Sequence, residues 1–222
     1  MVPSEEFFLF VEALKNKLAD PLPGLSHQLL MAPPYREVPS ESWVKAQNPR
    51  PAAVLVCLTE KEGQTCLIFT KRRSYPGVHS DQVSFPGGKY ETEDGSLRAT
   101  ALRESQEEIG ISLNQTQIIG ALTPLYIPPS NFLVHPFVAV AIQEAPWRVQ
   151  EAEVAALLEI PMAYLLRAES RESRHLHLGE QTREVPGFVW HEHFIWGATA
   201  MMLSEFLGVV RSCFKGNESP LA

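Results

Sequence analysis

The run from Ser96 to Ile109, SLRATALRESQEEI, constrains this chain more than any other stretch. Its acids Glu104, Glu107 and Glu108 stand at i, i+3 and i+4, so a helix brings them to one face. Ser96 is suited to cap the N-terminus of that helix and Gly110 to end it as a left-handed C′ residue. Ala99, Leu102 and Ile109 fall on the other side, which predicts a core face there and leaves the acids on a rim. Carboxylates gathered in this way repel one another, and a hard divalent cation such as Mg²⁺ or Mn²⁺ offsets the repulsion through oxygen ligands. Just upstream, Pro86-Gly87-Gly88 predicts a turn that a ligand can approach closely. Three acids alone better describe a solvated helix; loop, cap and paired acids in this order describe a metal platform.

The stretch also resembles a known family. The Nudix box reads G-x5-E-x7-R-E-U-x-E-E-x-G-U, where U is a bulky aliphatic residue, and Gly88, Arg103, Glu104, Glu107, Glu108, Gly110 and Ile111 match it in place. Two departures stand out. The gap from Gly88 to Arg103 is one residue longer than the pattern, so the first acid is either Asp94 with a lengthened spacer or absent, with Gly95 in its place. Ser105 stands where an aliphatic residue is expected.

A narrower resemblance precedes the box. Nudix coenzyme A diphosphatases carry L-L-T-x-R-(S/A)-x3-R-x3-G-x3-F-P-G-G, and Thr70, Arg72 and Phe85-Pro86-Gly87-Gly88 match it, with Ile68 and Phe69 as apolar equivalents of the leucines. Arg73, Gly77 and Asp81 replace the Ser/Ala, second Arg and Gly of that pattern. Asp81 brings a carboxylate close to the expected phosphate; Asp81→Gly should therefore keep or raise turnover, whereas a loss of about tenfold or more would mean that the aspartate has been recruited.

Composition narrows the classes. The chain has 222 residues, 45% hydrophobic and 20% charged, which is enough for one folded domain with extensions. A net charge of −7 argues against a general grip on nucleic acid. Cys57, Cys66 and Cys213 lack C-x2-C spacing, so neither a disulfide framework nor a zinc site is indicated. With no leader pattern and no long apolar span, a cytoplasmic enzyme without membrane partners is expected.

Along the chain, Ser4 and the acids after it precede Phe7, Phe8, Val11 and Leu14 at helical spacing, which predicts an amphipathic helix that packs on the domain or serves a homodimer. The segment 20–52 holds many of the 18 prolines and reads as a connector. AAVLVCL (52–58) and TCLIFTKR (65–72) predict a hairpin that delivers Lys71, Arg72 and Arg73 to one edge. QIIGALTPLYI and FLVHPFVAVAI predict two more strands, ALLEIP a further one, RESRHLHLGE a surface hairpin or loop, and about 199–214 a final apolar helix. The expected architecture is α/β, which the resemblance refines to the Nudix fold: an α/β/α sandwich with a mixed central sheet. The divisions expected from it are an N-terminal helical extension and connector (1–50), a Nudix domain (51–215) and a tail (216–222).

The resemblance implies hydrolysis of a diphosphate within a small nucleoside diphosphate derivative, with Mg²⁺ or Mn²⁺ held by Glu104, Glu107, Glu108 and a carbonyl of Gly88 or Gly87. Coenzyme A would be cut to 4′-phosphopantetheine and 3′,5′-ADP. Arg103 is expected to orient the acids, Arg72 and Lys89 to meet phosphate, and Gln82 to support them. The base is Glu107 or an acid outside the box, for which Glu151 and Glu153 lie nearest along the chain. ADP-ribose, dinucleotide polyphosphates and oxidised nucleotides are the alternative substrates, and a non-catalytic nucleotide sensor is the alternative class.

Overall fold

In the computed structural model, residues 3–73, 82–142, 145–179 and 181–214 are described. The helices are α1 (Glu5–Ala19), α2 (Leu25–Gln28), α3 (Glu41–Ala46), α4 (Leu97–Ile109), α5 (Met162–Leu165) and α6 (Gly197–Cys213). The strands are β1 (Arg50–Lys61), β2 (Gln64–Arg72), β3 (Val83–Ser84), β4 (Gly87–Lys89), β5 (Thr116–Ala121), β6 (Leu125–Ile127), β7 (Phe132–Ala141), β8 (Val154–Pro161), β9 (Arg171–Leu178), β10 (Gln181–Trp190) and β11 (His193–Trp196).

A fork in the central sheet positions the site. β1 and β2 turn through Glu62-Gly63, both at positive φ, and pair from Lys61↔Gln64 to Leu58↔Leu67. Beyond that the two strands part. β3 then pairs with β2 at Thr70↔Ser84, and β4 pairs with β1 at Ala53↔Gly88. Leu55 N donates to the Pro86 carbonyl at 2.8 Å, so the Phe85-Pro86-Gly87 step fills the gap. β7 runs parallel to β1 and β8 antiparallel to β2, which makes the sheet mixed.

Two cores line its faces. Ala53, Leu55 and Cys57 of β1 meet Ala101 and Ile109 of α4 on one face, whereas Val56 and Leu58 belong to the larger core with α1 and α6 on the other. The alternation along β1 is the strand period of two, with helices covering both sides.

Several details differ from the sequence reading. QIIGALTPLYI divides into β5 and β6, both pairing with β7, because Pro124 and Pro136 each remove a ladder donor at the break. RESRHLHL is an arm of an antiparallel pair, in keeping with the expected hairpin: β9 pairs with β10 in a separate three-stranded sheet, β11-β10-β9, whose β11 lies beside β3. In α1, Phe10 is buried and Phe8 is 44% exposed, so the core stripe is Phe7, Phe10, Val11, Leu14 and Leu18. The final helix starts at Gly197, immediately after β11. The tail 215–222 and Asp81 lie outside the described residues.

The N-terminal segment is tied into the core by a buried acid. Glu205 of α6 is fully buried; it accepts from Gln28 Nε2 at 2.8 Å, Thr123 Oγ1 at 2.7 Å and Thr123 N at 3.1 Å. Glu205→Ala strands those donors away from water, so it should cost about 3 kcal/mol, read as a lower urea midpoint at unchanged m-value.

Candidate active site

Helix α4 begins at Ser96, whose hydroxyl accepts from Ala99 N at 3.2 Å, and stops at Gly110 in the left-handed region. It packs through Thr100, Ala101, Ser105, Glu108 and Ile109. The expected core face is therefore rotated: Ala99 and Leu102 are only partly buried, and Glu108 itself points inward. Ser105 occupies the aliphatic position of the box in full burial, its hydroxyl satisfied by the Ala101 carbonyl at 2.7 Å.

The three box acids have three different environments. Glu108 is 5% exposed and its Oε2 accepts from Gly87 N at 3.2 Å in the sheet fork. Burial pushes its carboxyl up to about 7, opposed by the Gly87 N–H and the Arg72 charge and reinforced by Glu104 and Glu153. Glu104 lies against Gly88, where a Cβ would come within 2.5 Å of its Cδ. Its carboxyl is also raised, first by burial, against the Arg103 charge and hydrogen bond and with Glu107 and Glu153 adding to the rise. Glu107 differs: its side chain is 57% exposed and accepts from Arg103 Nη1 at 3.1 Å. The expected convergence of all three acids on one volume is thus not found. Among the described residues no three His, Cys, Asp or Glu side chains already form a metal-ligating group. The helical period places 107 beside Arg103, which draws its carboxylate outward.

Arg103 is the centre of a carboxylate network. Its Nε reaches Asp94 Oδ1 at 2.6 Å and its Nη2 reaches Asp94 Oδ2 at 3.1 Å, Glu104 Oε1 at 3.0 Å and the Lys89 carbonyl at 3.2 Å. Asp94 also accepts from Thr100 Oγ1 at 2.8 Å and from Glu91 N at 3.0 Å. The Arg103 hydrogen bonds hold the Asp94 carboxyl well below the usual range, and Asp94 in turn raises Arg103. The question left by the long spacer is answered geometrically: Asp94, not Gly95, faces the arginine.

The remaining residues divide. Arg72 ends β2 with its N donating to the Gln82 carbonyl at 2.9 Å, and its charge acts on Glu108. Its Nε is buried without a hydrogen-bond partner among the described residues. Gln82 thus supports Arg72 through its backbone. Glu153 lies in the turn before β8, and its charge is felt at both Glu104 and Glu108. Lys89 is exposed, and its register against Ala52 puts it on the sheet face opposite Gly88 and α4. The acids and Lys89 are therefore not brought together.

The residues fit a divalent cation. The donors are oxygens only, and the field of Glu104, Glu108 and Glu153 is mutually unfavourable in a partly water-excluded place. The sequence singled out Glu151 and Glu153 in the segment 145–153 but not how that segment docks on the end of α4, through Arg148 N to the Ile109 carbonyl at 3.1 Å and Gln150 N to the Glu108 carbonyl at 2.8 Å. No local signal marks backbone contacts between segments so far apart in sequence.

Comparison with known proteins shows the family and the fold. A family model described as the NUDIX domain matches residues 49–178, more than half of the chain. The chain is 37% identical over 162 residues, covering 72% of this chain and 83% of its relative, to an uncharacterized Nudix hydrolase NudL of Salmonella dublin. A related protein of Salmonella newport is 37% identical over 159 residues, 71% of this chain and 81% of that one. In architecture it is similar to the crystal structure of a MutT/nudix family protein from Enterococcus faecalis, with a TM-score of 0.50 and 16% identity over 96% of this chain and 76% of that one.

Proposed function

The chain belongs to the Nudix hydrolase family, and on that premise we propose that it hydrolyses the diphosphate bond of coenzyme A or its derivatives. One observation supports the catalytic part of this reading: Glu108, 5% exposed and accepting from Gly87 N, and Glu104, lying against Gly88, flank one glycine pair, and the charge of Arg72, whose buried Nε finds no partner among the described residues, acts on Glu108. Such a group of charges is unfavourable alone and is relieved by a cation and a phosphate together.

In this reading Glu104, Glu108 and a Gly88 carbonyl would hold Mg²⁺ or Mn²⁺, which would supply a more acidic bound water and positive charge for the phosphate oxygens. Arg72 meets a diphosphate oxygen through its unpaired Nε, an interaction for which a guanidinium is well shaped. Arg103 keeps Glu104 oriented through the Asp94 pair and does not itself touch substrate. Glu153, exposed at the rim, takes the proton of the attacking water. Glu107 tunes the network through Arg103 rather than serving as a ligand.

The choice of coenzyme A is supported by the Thr70, Arg72 and Phe85-Pro86-Gly87-Gly88 pattern. These residues share one structural job: Thr70 pairs with Ser84 while Phe85 stacks on Phe69 at 4.7 Å, which fixes β3 and aims Arg72 at the fork. A substrate panel of coenzyme A, ADP-ribose, a dinucleotide polyphosphate and an oxidised nucleotide, each with Mg²⁺ and with Mn²⁺, tests the assignment. Coenzyme A should give the highest kcat/KM by about tenfold or more, with 3′,5′-ADP and 4′-phosphopantetheine as products. A higher value for another member of the panel would reassign the substrate. Tight binding with no turnover of any diphosphate would favour the sensor.

A further inference from the structure

The segment from Ala145 to Glu153 touches both ends of the proposed machinery. Its Arg148 and Gln150 N–H groups meet the carbonyls of Ile109 and Glu108, which the end of a helix otherwise leaves without intrahelical donors. Gly110 makes this approach possible, since a Cβ there would come within 2.8 Å of Arg148 Cβ and 3.2 Å of Arg148 N. A few residues later, Gln150 accepts at its carbonyl from Glu153 N at 3.0 Å and Val154 N at 2.9 Å, and the Glu153 carbonyl accepts from Arg73 N at 2.9 Å. The backbone that carries Glu108 and the backbone that carries Glu153 are therefore joined by a short strap.

A single side chain fastens the strap to the sheet. Trp147 packs on the core beneath α4, and its Nε1–H donates to Glu159 Oε1 at 3.1 Å. Glu159 sits on β8, the strand that begins just after Glu153, and its other oxygen accepts from Lys61 Nζ at 2.5 Å. The Glu159 side chain is 18% exposed, so its geometry is held from both sides. An indole has one donor and little rotational freedom once packed, which suits it to fixing a distance.

We infer that Trp147 and Glu159 form a positioning latch that sets the separation of Glu153 from Glu104 and Glu108, and hence the tightness of the divalent-cation site. The inference rests on the reading of those three acids as the site. Neither latch residue touches substrate. Their effect passes through the strap, as with outer partners that orient metal ligands.

The test uses the full chain and free Mn²⁺ as the probe, with bound metal counted by electron paramagnetic resonance, alongside steady-state kinetics and thermal melting in chelator. Trp147→Phe keeps a ring and removes the donor; Glu159→Leu keeps bulk and removes the acceptor. Each should weaken Mn²⁺ binding about tenfold and lower kcat by a similar factor, with KM within about twofold of the parent. The double variant should be no worse than either single one, as required if both residues act through one bond. Glu159→Gln retains an acceptor for the indole and should recover most of the affinity. If the variants melt earlier but bind Mn²⁺ and turn over like the parent, or if their effects on affinity add, the latch is overturned. A parent that takes up no Mn²⁺ overturns the reading of the acids themselves, and a latch acting on that site falls with it.

Discussion

Glu108→Gln should abolish turnover and, at the same time, make the metal-free protein more stable at pH 8. On the proposed reading the loss follows from removing a carboxylate that would hold the metal: several kcal/mol of charge stabilisation correspond to about a thousandfold in kcat. The gain follows from burial. In the folded protein the Glu108 carboxyl is pushed from an ordinary 4.5 up to about 7. A raised carboxyl favours the fold fully below 4.5, and this contribution is lost as pH rises through about 7. At pH 8 the metal-free parent thus carries the whole cost of an ionised, 5% exposed group, about 3 kcal/mol. Glutamine keeps an acceptor for Gly87 N and carries no charge, so melting in chelator at pH 8 should rise by about 5–10 °C. The gap should narrow toward pH 5, where Glu108 is largely protonated in the folded parent. A gap that stays constant from pH 5 to pH 8 would show that Glu108 is not the titrating group. Added Mn²⁺ should raise the melting point of the parent far more than that of the variant.

Gly87→Ala and Gly88→Ala should fail in opposite ways, although the two residues are adjacent. At Gly87 the backbone has φ +147, and a Cβ would lie 2.4 Å from the Ala53 carbonyl and 2.6 Å from Val54 Cα. Neither neighbour can yield without opening the β1–β4 ladder. Gly87→Ala should therefore destabilise the fold by about 3 kcal/mol or more, seen as a large fall in melting temperature. At Gly88 the obstacle is the carboxylate of Glu104, at 2.5 Å from the built Cβ. That side chain is free to swing away, so Gly88→Ala should fold with nearly the parent melting temperature. It should nonetheless lose about a hundredfold or more in kcat, because the displaced carboxylate is, on the proposed reading, a metal ligand. Equal melting losses for both variants would mean that the fork, rather than the acid, is what Gly88 serves.

These two predictions mark where sequence and structure divide the explanation. Ser96, Gly110 and the i, i+3, i+4 acids make α4 legible in the sequence, because capping and helical period are local. The hairpin of β1 and β2 was legible for the same reason, through two apolar runs on either side of Glu62-Gly63. Family membership followed from the box, since its residue types and spacing are read directly from the chain.

What the local pattern could not supply was the direction in which each acid points. Ala99 and Leu102 suggested a core face that the tertiary contacts rotated, so that Glu108 went into the fork while Glu107 stayed with Arg103 at the surface. The cause is the parting of β1 and β2, which opens a place for Gly87 N to receive a carboxylate. Asp94 found Arg103 despite a spacer one residue too long, because the turn through Gly95 absorbs the extra residue at a left-handed φ of 68°. Glu153 and Trp147 were beyond the reach of the box altogether. Their places depend on backbone contacts and a side-chain bond made between segments distant along the chain, and no short-range pattern encodes such a meeting. The sequence determined which chemical groups the protein owns and which helix carries them; the packing of α4 into the sheet fork decided which of those groups face one another.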